Sequence, residues 1–282
     1  MIKKGFSFFL LAAILMASVS CNREYNKVVK SNDMESKLER AKQYYNEGDC
    51  FKAIPLFEEL IAYYKGSKDL EDVYYSYAYC QYAQKDYIIA SYHFKRFSEL
   101  YPRSEKVEDA AFMVAKCNHE QSPKFNLDQT PTYKAIAQYQ AFTQKYPNSD
   151  KISEVNAAID ELRLKLHKKA YAGARLYFRL KDYQAAATSF KTLVETYPES
   201  KDAEESYYYV VLSSKLLADN SYASKKLERY EQTVVEFNMF KQKFPNSKYL
   251  NELEEINKNS LKSIESIKQQ STENGSKNER RS

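Results

Sequence analysis

Small and aromatic residues recur along the chain at a fixed helical spacing. Four segments carry Ala or Thr, an aromatic residue four positions later, an aromatic–Pro pair and then Ser. Positions i and i+4 lie on one face of a helix, so each segment predicts a helix with these two residues on the same face. The small residue lets the preceding helix approach closely, and the aromatic ring fills the space beside it. The segments begin at Ala90, Ala135, Ala186 and Thr233, and a degenerate copy without the Pro begins at Ala53.

Each segment also carries signals for where helices end. Proline cannot continue a helix and moves the residue before it out of the α region, so an aromatic–Pro pair such as Tyr101-Pro102 predicts a helix end. The Ser that follows is available to cap the next helix. Upstream, Gly48-Asp49, Lys85-Asp86 and Lys181-Asp182 predict tight turns between antiparallel helices. The repeating unit is therefore helix, short turn, helix and proline stop.

This unit resembles the tetratricopeptide repeat, although its copies are spaced more widely than the ideal period of about 34 residues. The excess predicts a loop over residues 121–129, one long helix over 151–180 and a soft connection over 218–229. Residues 248–270 predict a capping helix. The expected fold is all-α: a superhelical solenoid of about five helix pairs with a C-terminal capping helix, over residues 32–270.

Composition agrees with a helical protein. The 282 residues include only 5 Gly, but 26 Tyr and 15 Phe. Because few Gly leave few backbone corners with positive φ, a β-sandwich, a barrel or a Rossmann sheet is disfavoured. The high aromatic content excludes a disordered chain. We expect disorder only in residues 271–282, a polar tail that ends in two Arg.

The N-terminus predicts export and acylation. Lys3 and Lys4 precede an apolar run that is too short to span a bilayer and fits a secretory signal peptide. Small residues then lead to Cys21 in a pattern that resembles a bacterial lipobox, with Ser18 where Leu is usual. We expect residues 1–20 to be a removed signal peptide, Cys21 to carry acyl chains and residues 21–31 to form a lipid-anchored linker. An uncleaved anchor and an ordinary signal peptide are the alternatives.

The other chemistry-bearing residues are few. Cys50, Cys80 and Cys117 are odd in number, so at most one disulfide can form among them. Cys80 and Cys117 lie in successive predicted helices and could be neighbours; the alternative is that all three are small buried side chains. The three His lack partners at metal-ligand spacing, and phosphate loops and nucleophile motifs are absent. We expect no enzyme activity, no metal and no cofactor.

Recognition is expected on the first helix of each pair, since stacked helix pairs present these helices on one surface. Tyrosines at positions i, i+4 and i+7 offer apolar faces and hydroxyls to an aromatic, extended peptide. The alternative is that these rings simply pack between helices. With a formal net charge of +5 and interspersed charges, the chain has no basic stripe for nucleic acid. The candidate peptide-binding residues are Leu38, Lys42, Tyr45, Tyr75, Tyr79, Tyr82, Tyr171, Arg175 and Phe178.

The lipobox, the five repeats and the particular residues of these repeats together resemble the BamD family of β-barrel assembly lipoproteins. The segments that carry the resemblance are LYPRS at residues 100–104, DQT at 128–130 before KYPNS at 145–149, and RLKDYQAA at 179–186 before ETYP at 195–198. The resemblance implies a scaffold on the periplasmic face of the outer membrane, held there by N-terminal acyl chains. Its C-terminal repeats would dock on a BamA-like barrel assembly protein. Its N-terminal repeats would receive C-terminal segments of unfolded outer-membrane proteins.

Two other binding functions fit the same sequence features. One is a periplasmic repeat lipoprotein that organises cell-wall or other envelope proteins. The other is a helical-repeat lipoprotein that captures carbohydrate.

Overall fold

The computed structural model describes residues 24–279 apart from 66 and 68, and helices make up most of this range. The predicted signal peptide and the acylation site Cys21 lie outside the described residues. Residues 24–30, within the expected linker, form a short helix ahead of the repeats. The main helices are α1 (Met34–Asn46), α2 (Cys50–Tyr63), α3 (Leu70–Ala83), α4 (Tyr87–Leu100), α5 (Val107–Glu120), α6 (Thr130–Lys145), α7 (Ile152–Arg179), α8 (Tyr183–Thr196), α9 (Ala203–Asp219), α10 (Ala223–Lys243) and α11 (Leu250–Glu279).

The chain divides into two compact units, with the division between Leu162 and Arg163 inside α7. In the first unit, α1 to α6 form three helix pairs, followed by the first part of α7. In the second unit, the rest of α7 packs with α8, α9 packs with α10, and α11 covers α9 and α10. The all-α class, the helix pairs and the capping helix are therefore confirmed, and no strand occurs among the described residues.

The repeated small and aromatic residues form the centre of each pair. The small residue is 0% exposed in all five segments, and the aromatic residue is at most 4% exposed. Side chains buried to this degree contribute about 1.5–3 kcal/mol each for the larger apolar types, so this spacing alone places much of the core. The pairs are Ala53 with Phe57, Ala90 with Phe94, Ala135 with Tyr139, Ala186 with Phe190, and Thr233 with Phe237.

The aromatic–Pro pairs end four helices, as predicted. The aromatic residue is the C-cap in each case, with φ between -130 and -124° and ψ between 59 and 65°. Proline forces its predecessor into this non-helical region. The Ser that follows does not occupy the N-cap of the next helix, where Lys106 stands for α5. Instead, Ser104 Oγ accepts the Lys106 N–H within the connecting turn. The four C-caps are Tyr101, Tyr146, Tyr197 and Phe244.

The three tight turns are confirmed and share one backbone conformation. Gly48, Lys85 and Lys181 have φ of 77, 64 and 62°, in the left-handed region. The following Asp then accepts a backbone N–H of the next helix, as an N-cap does. Lysine is strained at this angle by about 1–2 kcal/mol, whereas Gly is not. The capping residues are Asp49, Asp86 and Asp182.

The cysteine pairing differs from the sequence expectation. Cys80 of α3 is joined to Cys50, the first residue of α2, with a Cα–Cα distance of 5.0 Å. Cys117 is buried and free, in the core that α5 shares with α4 and α6. Cys80 and Cys117 are thus not a pair, because the buried side of α3 that carries Cys80 faces α2.

One of the expected connections also differs. The soft connection over residues 218–229 is wrong, because α9 ends at Asp219 and α10 begins at Ala223. The Tyr230 hydroxyl donates to Asp219 Oδ1 at 2.9 Å, which fixes the start of α10 against the end of α9. The last helix runs to Glu279, into the segment for which disorder was expected, while residues 280–282 lie outside the described part of the chain. The loop over 121–129 and the long helix α7 follow the prediction.

Candidate peptide-binding surfaces

The first helices of the pairs in the first unit interact across one surface, which we call the front face. It comprises the exposed side of α1, α3 and α5 with the start of α7. Tyr75 and Tyr79 of α3 both donate their hydroxyls to Oδ2 of Asp109 on α5, Tyr75 at 2.6 Å. On α1, burial and then the charge of Asp109 raise the pKa of Tyr45, whose ring lies 6.4 Å from that of Phe57. Two of the predicted tyrosines are therefore brought together by Asp109.

The two central tyrosines are half-buried rather than freely exposed. Their ring centroids are 4.9 Å apart, the Tyr79 ring lies 5.0 Å from Phe94, and the Tyr75 ring lies 5.3 Å from Phe97. Burial, together with the bonds to Asp109, raises the pKa of both phenols well above the ordinary value. Their hydroxyls are thus neutral and already bonded, so the front face offers their ring edges more than free hydroxyls.

Charges of alternating sign cross the front face from helix to helix. Lys106 Nζ lies 2.5 Å from Asp72 Oδ1, and Lys151 Nζ lies 3.2 Å from Asp109 Oδ1. The bond from Lys106, and then the charges of Lys106 and Lys42, lower the pKa of the Asp72 carboxyl. Because these pairs are partly exposed, they contribute little to stability. They do hold Lys106 over the Tyr75 ring and Lys151 over the Phe112 ring.

Lys106 places a cation, paired with Asp72, beside one of the tyrosine rings of the front face. Its Nζ lies 5.0 Å from the centre of the Tyr75 ring, a cation–π distance, and the side chain is partly exposed. A carboxylate beside an aromatic side chain would meet both a charge and a ring edge here. The front face thus presents a cation and aromatic rings side by side.

The remaining predicted residues of the first unit lie at the borders of this face. Leu38 is partly buried in the core between α1, α2 and α3, and Lys42 is exposed. Tyr82 stands at the other end of α3, with its ring 5.4 Å from that of Tyr87. Burial and then Glu120 raise the pKa of Tyr82 to about 12. Leu38 thus contributes to the core rather than to the surface.

The three candidates on α7 belong to the second unit and form an aromatic cluster with α9, which we call the Arg175 cluster. The guanidinium of Arg175 lies 4.4 Å from the centre of the Tyr209 ring, with Nη1 3.6 Å from Glu205 Oε1. Phe178 meets the same ring edge-on at 4.9 Å. Burial and then Glu205 raise the pKa of Tyr171 to about 12. The cluster is thus pre-ordered before any partner binds.

The Arg175 cluster is continued along α9 toward the capping helix. Tyr208 stacks on Tyr249 with a centroid distance of 4.4 Å, and its hydroxyl donates to Glu252 Oε1 at 2.9 Å. Stacked tyrosines with carboxylates at their edges present a rigid, amphipathic surface of the type enriched at protein interfaces. Tyr208, Tyr209 and Tyr249 were not among the residues predicted from the sequence.

Sequence reasoning also missed Asp109 and a groove on the opposite side of the first unit. The groove, of about 300 Å³, runs between α4 and α6 over α5. Its walls carry Lys95, Lys134 and Lys145, and no carboxylate lines it. The i, i+4, i+7 spacing of Ser91, Lys95 and Ser98 was a signal that could have indicated this face.

Other kinds of site find no support in the described residues. Among the side chains that the structure describes, in residues 24–272 apart from 66 and 68, no cluster of His, Cys, Asp or Glu is arranged to hold a metal ion. Over the same residues, no helix combines the length and the apolar character needed to cross a bilayer.

Comparison with known proteins gives consistent matches. Residues 30–226 match the family model YfiO, described as an outer membrane lipoprotein. Curated relatives include proteins named outer membrane protein assembly factor BamD from Vibrio cholerae, 26% identical over 70% of this chain and 85% of the relative, and from Neisseria gonorrhoeae, 25% identical over 79% and 84%. The relative of that name from Caulobacter vibrioides is 25% identical over 71% of this chain and 68% of its own length.

Among solved structures, the TPR2AB-domain:pHSP90-complex of yeast Sti1 aligns with 81% of this chain and 98% of its own, at a TM-score of 0.38 and 11% identity.

Proposed function

Since this chain belongs to the YfiO family of outer membrane lipoproteins, we propose that it is an outer membrane protein assembly factor and not an enzyme. The match covers both units, from residue 30 into α10. Acyl chains on Cys21 would hold the protein on the periplasmic face of the outer membrane, since several acyl chains on one residue anchor a protein durably. Its role there is to bind other chains during the insertion of β-barrel proteins.

The front face of the first unit is the proposed receiving surface for unfolded outer-membrane proteins. The observation that carries this proposal is the junction of Lys106, Tyr75 and Asp109, where a cation and ring edges are fixed side by side. The C-terminal segment of an unfolded barrel protein is an extended strand that ends in an aromatic residue and a carboxylate. Lys106 would bind the carboxylate, and the rings of Tyr45 and Tyr75 would pack against the aromatic side chain.

A titration with a labelled barrel C-terminal peptide tests this surface. Replacing Tyr75→Ala and Tyr79→Ala together should weaken binding roughly 30-fold, which corresponds to the ~2 kcal/mol of an interface hot spot. Lys106→Ala alone should weaken binding about tenfold, the loss of one charge-assisted contact of ~1.4 kcal/mol. Circular dichroism of each variant checks that the helix content is retained.

Lys145→Ala is the matched control for this titration. Lys145 is also a lysine over a tyrosine ring in the first unit, with its Nζ 5.2 Å from the centre of the Tyr146 ring, but it lies in the α4–α6 groove. Its replacement should leave the affinity unchanged. Equal losses for Lys106→Ala and Lys145→Ala, or no loss in the tyrosine variant with helix content intact, would contradict the proposed surface.

The second unit is the proposed docking region for a BamA-like barrel assembly protein. The Arg175 cluster supports this assignment, because its aromatic and charged groups are rigidly held and remain partly exposed. Arg and Tyr are the residue types that dominate binding energy at protein interfaces. Copurification from detergent-solubilised envelope should recover the BamA-like protein with the native chain and much less of it with Arg175→Ala. Recovery of other envelope complexes in its place would favour a cell-wall organising role.

A further inference from the structure

Three exposed apolar side chains occupy the same position in three successive helix pairs of the first unit. Phe51, Ile88 and Tyr133 stand two residues before Ala53, Ala90 and Ala135, the small residues of their repeats, near the starts of α2, α4 and α6. They are 77, 71 and 61% exposed. We call this end of the first unit the turn edge.

Other apolar side chains extend the turn edge. Tyr92, one helical turn after Ile88, is exposed, and so is Phe125 in the loop before α6. In the second unit the equivalent positions are polar, with Gln184 on α8 and Glu231 on α10. Single exposed apolar residues, such as Leu180 and Tyr222 in the second unit, are ordinary, but recurrence at one repeat position in three successive helix pairs is a patterned surface feature.

The N-terminal chain leaves the first unit from this same edge. The ring of Tyr25 lies 6.0 Å from that of Tyr44, near the end of α1. Lys52 Nζ lies 5.3 Å from the centre of the same Tyr44 ring, and the Tyr44 carbonyl accepts the Asp49 N–H, so Tyr25 lies close to the turn that precedes Phe51. Three residues lie between Cys21 and Tyr25, so at most about 14 Å of extended chain joins the proposed acylation site to Tyr25.

We propose that the turn edge of the first unit rests in the lipid interface of the membrane that holds the anchor. This inference depends on the acylation of Cys21 proposed above. The anchor keeps the turn edge at a high effective concentration beside the bilayer, so weak insertion of a few side chains suffices. Tyr and Phe are suited to the headgroup boundary, because the apolar ring can contact the acyl chains while its edge lies among polar groups. The lipid contact would fix which side of the first unit faces the periplasm.

Tryptophan fluorescence tests the contact directly, because the chain has no Trp of its own. Single replacements Phe51→Trp, Ile88→Trp and Tyr133→Trp are made in the acylated full-length protein. Each is reconstituted into vesicles of phosphatidylethanolamine and phosphatidylglycerol, with and without bromine on the acyl chains. We expect emission at shorter wavelength and strong quenching by the brominated lipid at all three positions.

Leu100→Trp is the matched control, since Leu100 is also an exposed apolar residue of the first unit but lies at the opposite end of α4. It should remain unquenched. Quenching equal to that of the control at all three test positions would overturn the inference. A shift in Trp emission at the turn edge that occurs only when a BamA-like protein is added to unbrominated vesicles would also overturn the inference. That result would assign the edge to a protein partner.

Flotation of the same vesicles separates this inference from the proposed function. Protein that fails to float lacks the anchor, which overturns the proposed lipid attachment and this inference with it. Protein that floats without quenching at the turn edge overturns the lipid contact alone, and leaves the proposed assembly role intact.

Discussion

The Cys50–Cys80 disulfide is expected to supply a large share of the stability of the first unit. The bond closes a loop of 30 residues between the start of α2 and the end of α3. Loop-closure entropy for this length gives about 3.5 kcal/mol, removed from the unfolded state. Reducing the disulfide without changing the sequence measures this loop-closure free energy, because both Cys side chains belong to the α1–α3 core.

Hydrogen exchange of the native chain, with and without a strong reductant, measures the effect. The amides of α2 and α3 should exchange a few hundredfold faster after reduction, since each 1.4 kcal/mol corresponds to a factor of ten. Amides of α9 and α10 in the second unit report whether the reductant acts generally, and should be unaffected. Exchange measured by helix is preferred to one melting curve, because a chain of two compact units need not unfold in one step.

Cys117→Ala provides the control for pairing. Its thiol is free and buried, so the reductant-dependent difference should persist in this variant and vanish in Cys50→Ala. Equal exchange in α2 and α3 before and after reduction would show that the disulfide does not stabilise these helices. Loss of the difference in Cys117→Ala would assign the bond to a different pair.

Three further changes follow from single positions and are checked by chemical or thermal unfolding. Lys181→Gly should stabilise the second unit by about 1 kcal/mol, because φ is 62° there and Gly adopts that angle without strain. Ala186→Leu should destabilise by ~1–3 kcal/mol, because Ala186 is fully buried against α7 and added methyl groups overpack the pair; a neutral result would show that α7 and α8 are not in close contact there. Glu236 is buried and its pKa is raised, chiefly by burial, so the folded state binds its proton more tightly and stability falls as the pH rises above about 4.5. Glu236→Gln should therefore flatten this slope and stabilise the protein at neutral pH, since an amide can keep the bonds to Ser214 and Gln232; an unchanged slope would assign it to other groups.

The sequence predicts those parts of the fold that depend on residues within one helical turn. The Ala90–Phe94 spacing marks a buried face because i and i+4 always share a side, and Tyr101-Pro102 marks a stop because proline restricts its neighbour wherever it stands. The expected connection over 218–229 is wrong because it rests on Asn220 and its Ser and Ala neighbours, which suggest only weak local propensity. Tertiary contacts such as that of Tyr230 with Asp219 outweigh that propensity.

The candidate site was predicted less completely because its contacts are distant in sequence. Periodicity places Tyr75 and Tyr79 on one side of α3, but it cannot show that both hydroxyls meet Asp109, 34 and 30 residues away. For the same reason, the spacing of the cysteines did not identify Cys50 as the partner of Cys80. Both results depend on how neighbouring helices are rotated against each other, which the helical period leaves open.

The proline stops have a consequence for how such a chain can change over evolutionary time. Tyr101, Tyr146, Tyr197 and Phe244 end their helices with nearly the same backbone angles, although the stretches between them differ in length. Each boundary is encoded by a few adjacent codons and needs no help from remote residues. A gene segment for one such repeat can therefore be duplicated, lengthened or lost while the neighbouring repeats keep their own helix ends. That freedom lets a lineage acquire new partners without inventing a new architecture.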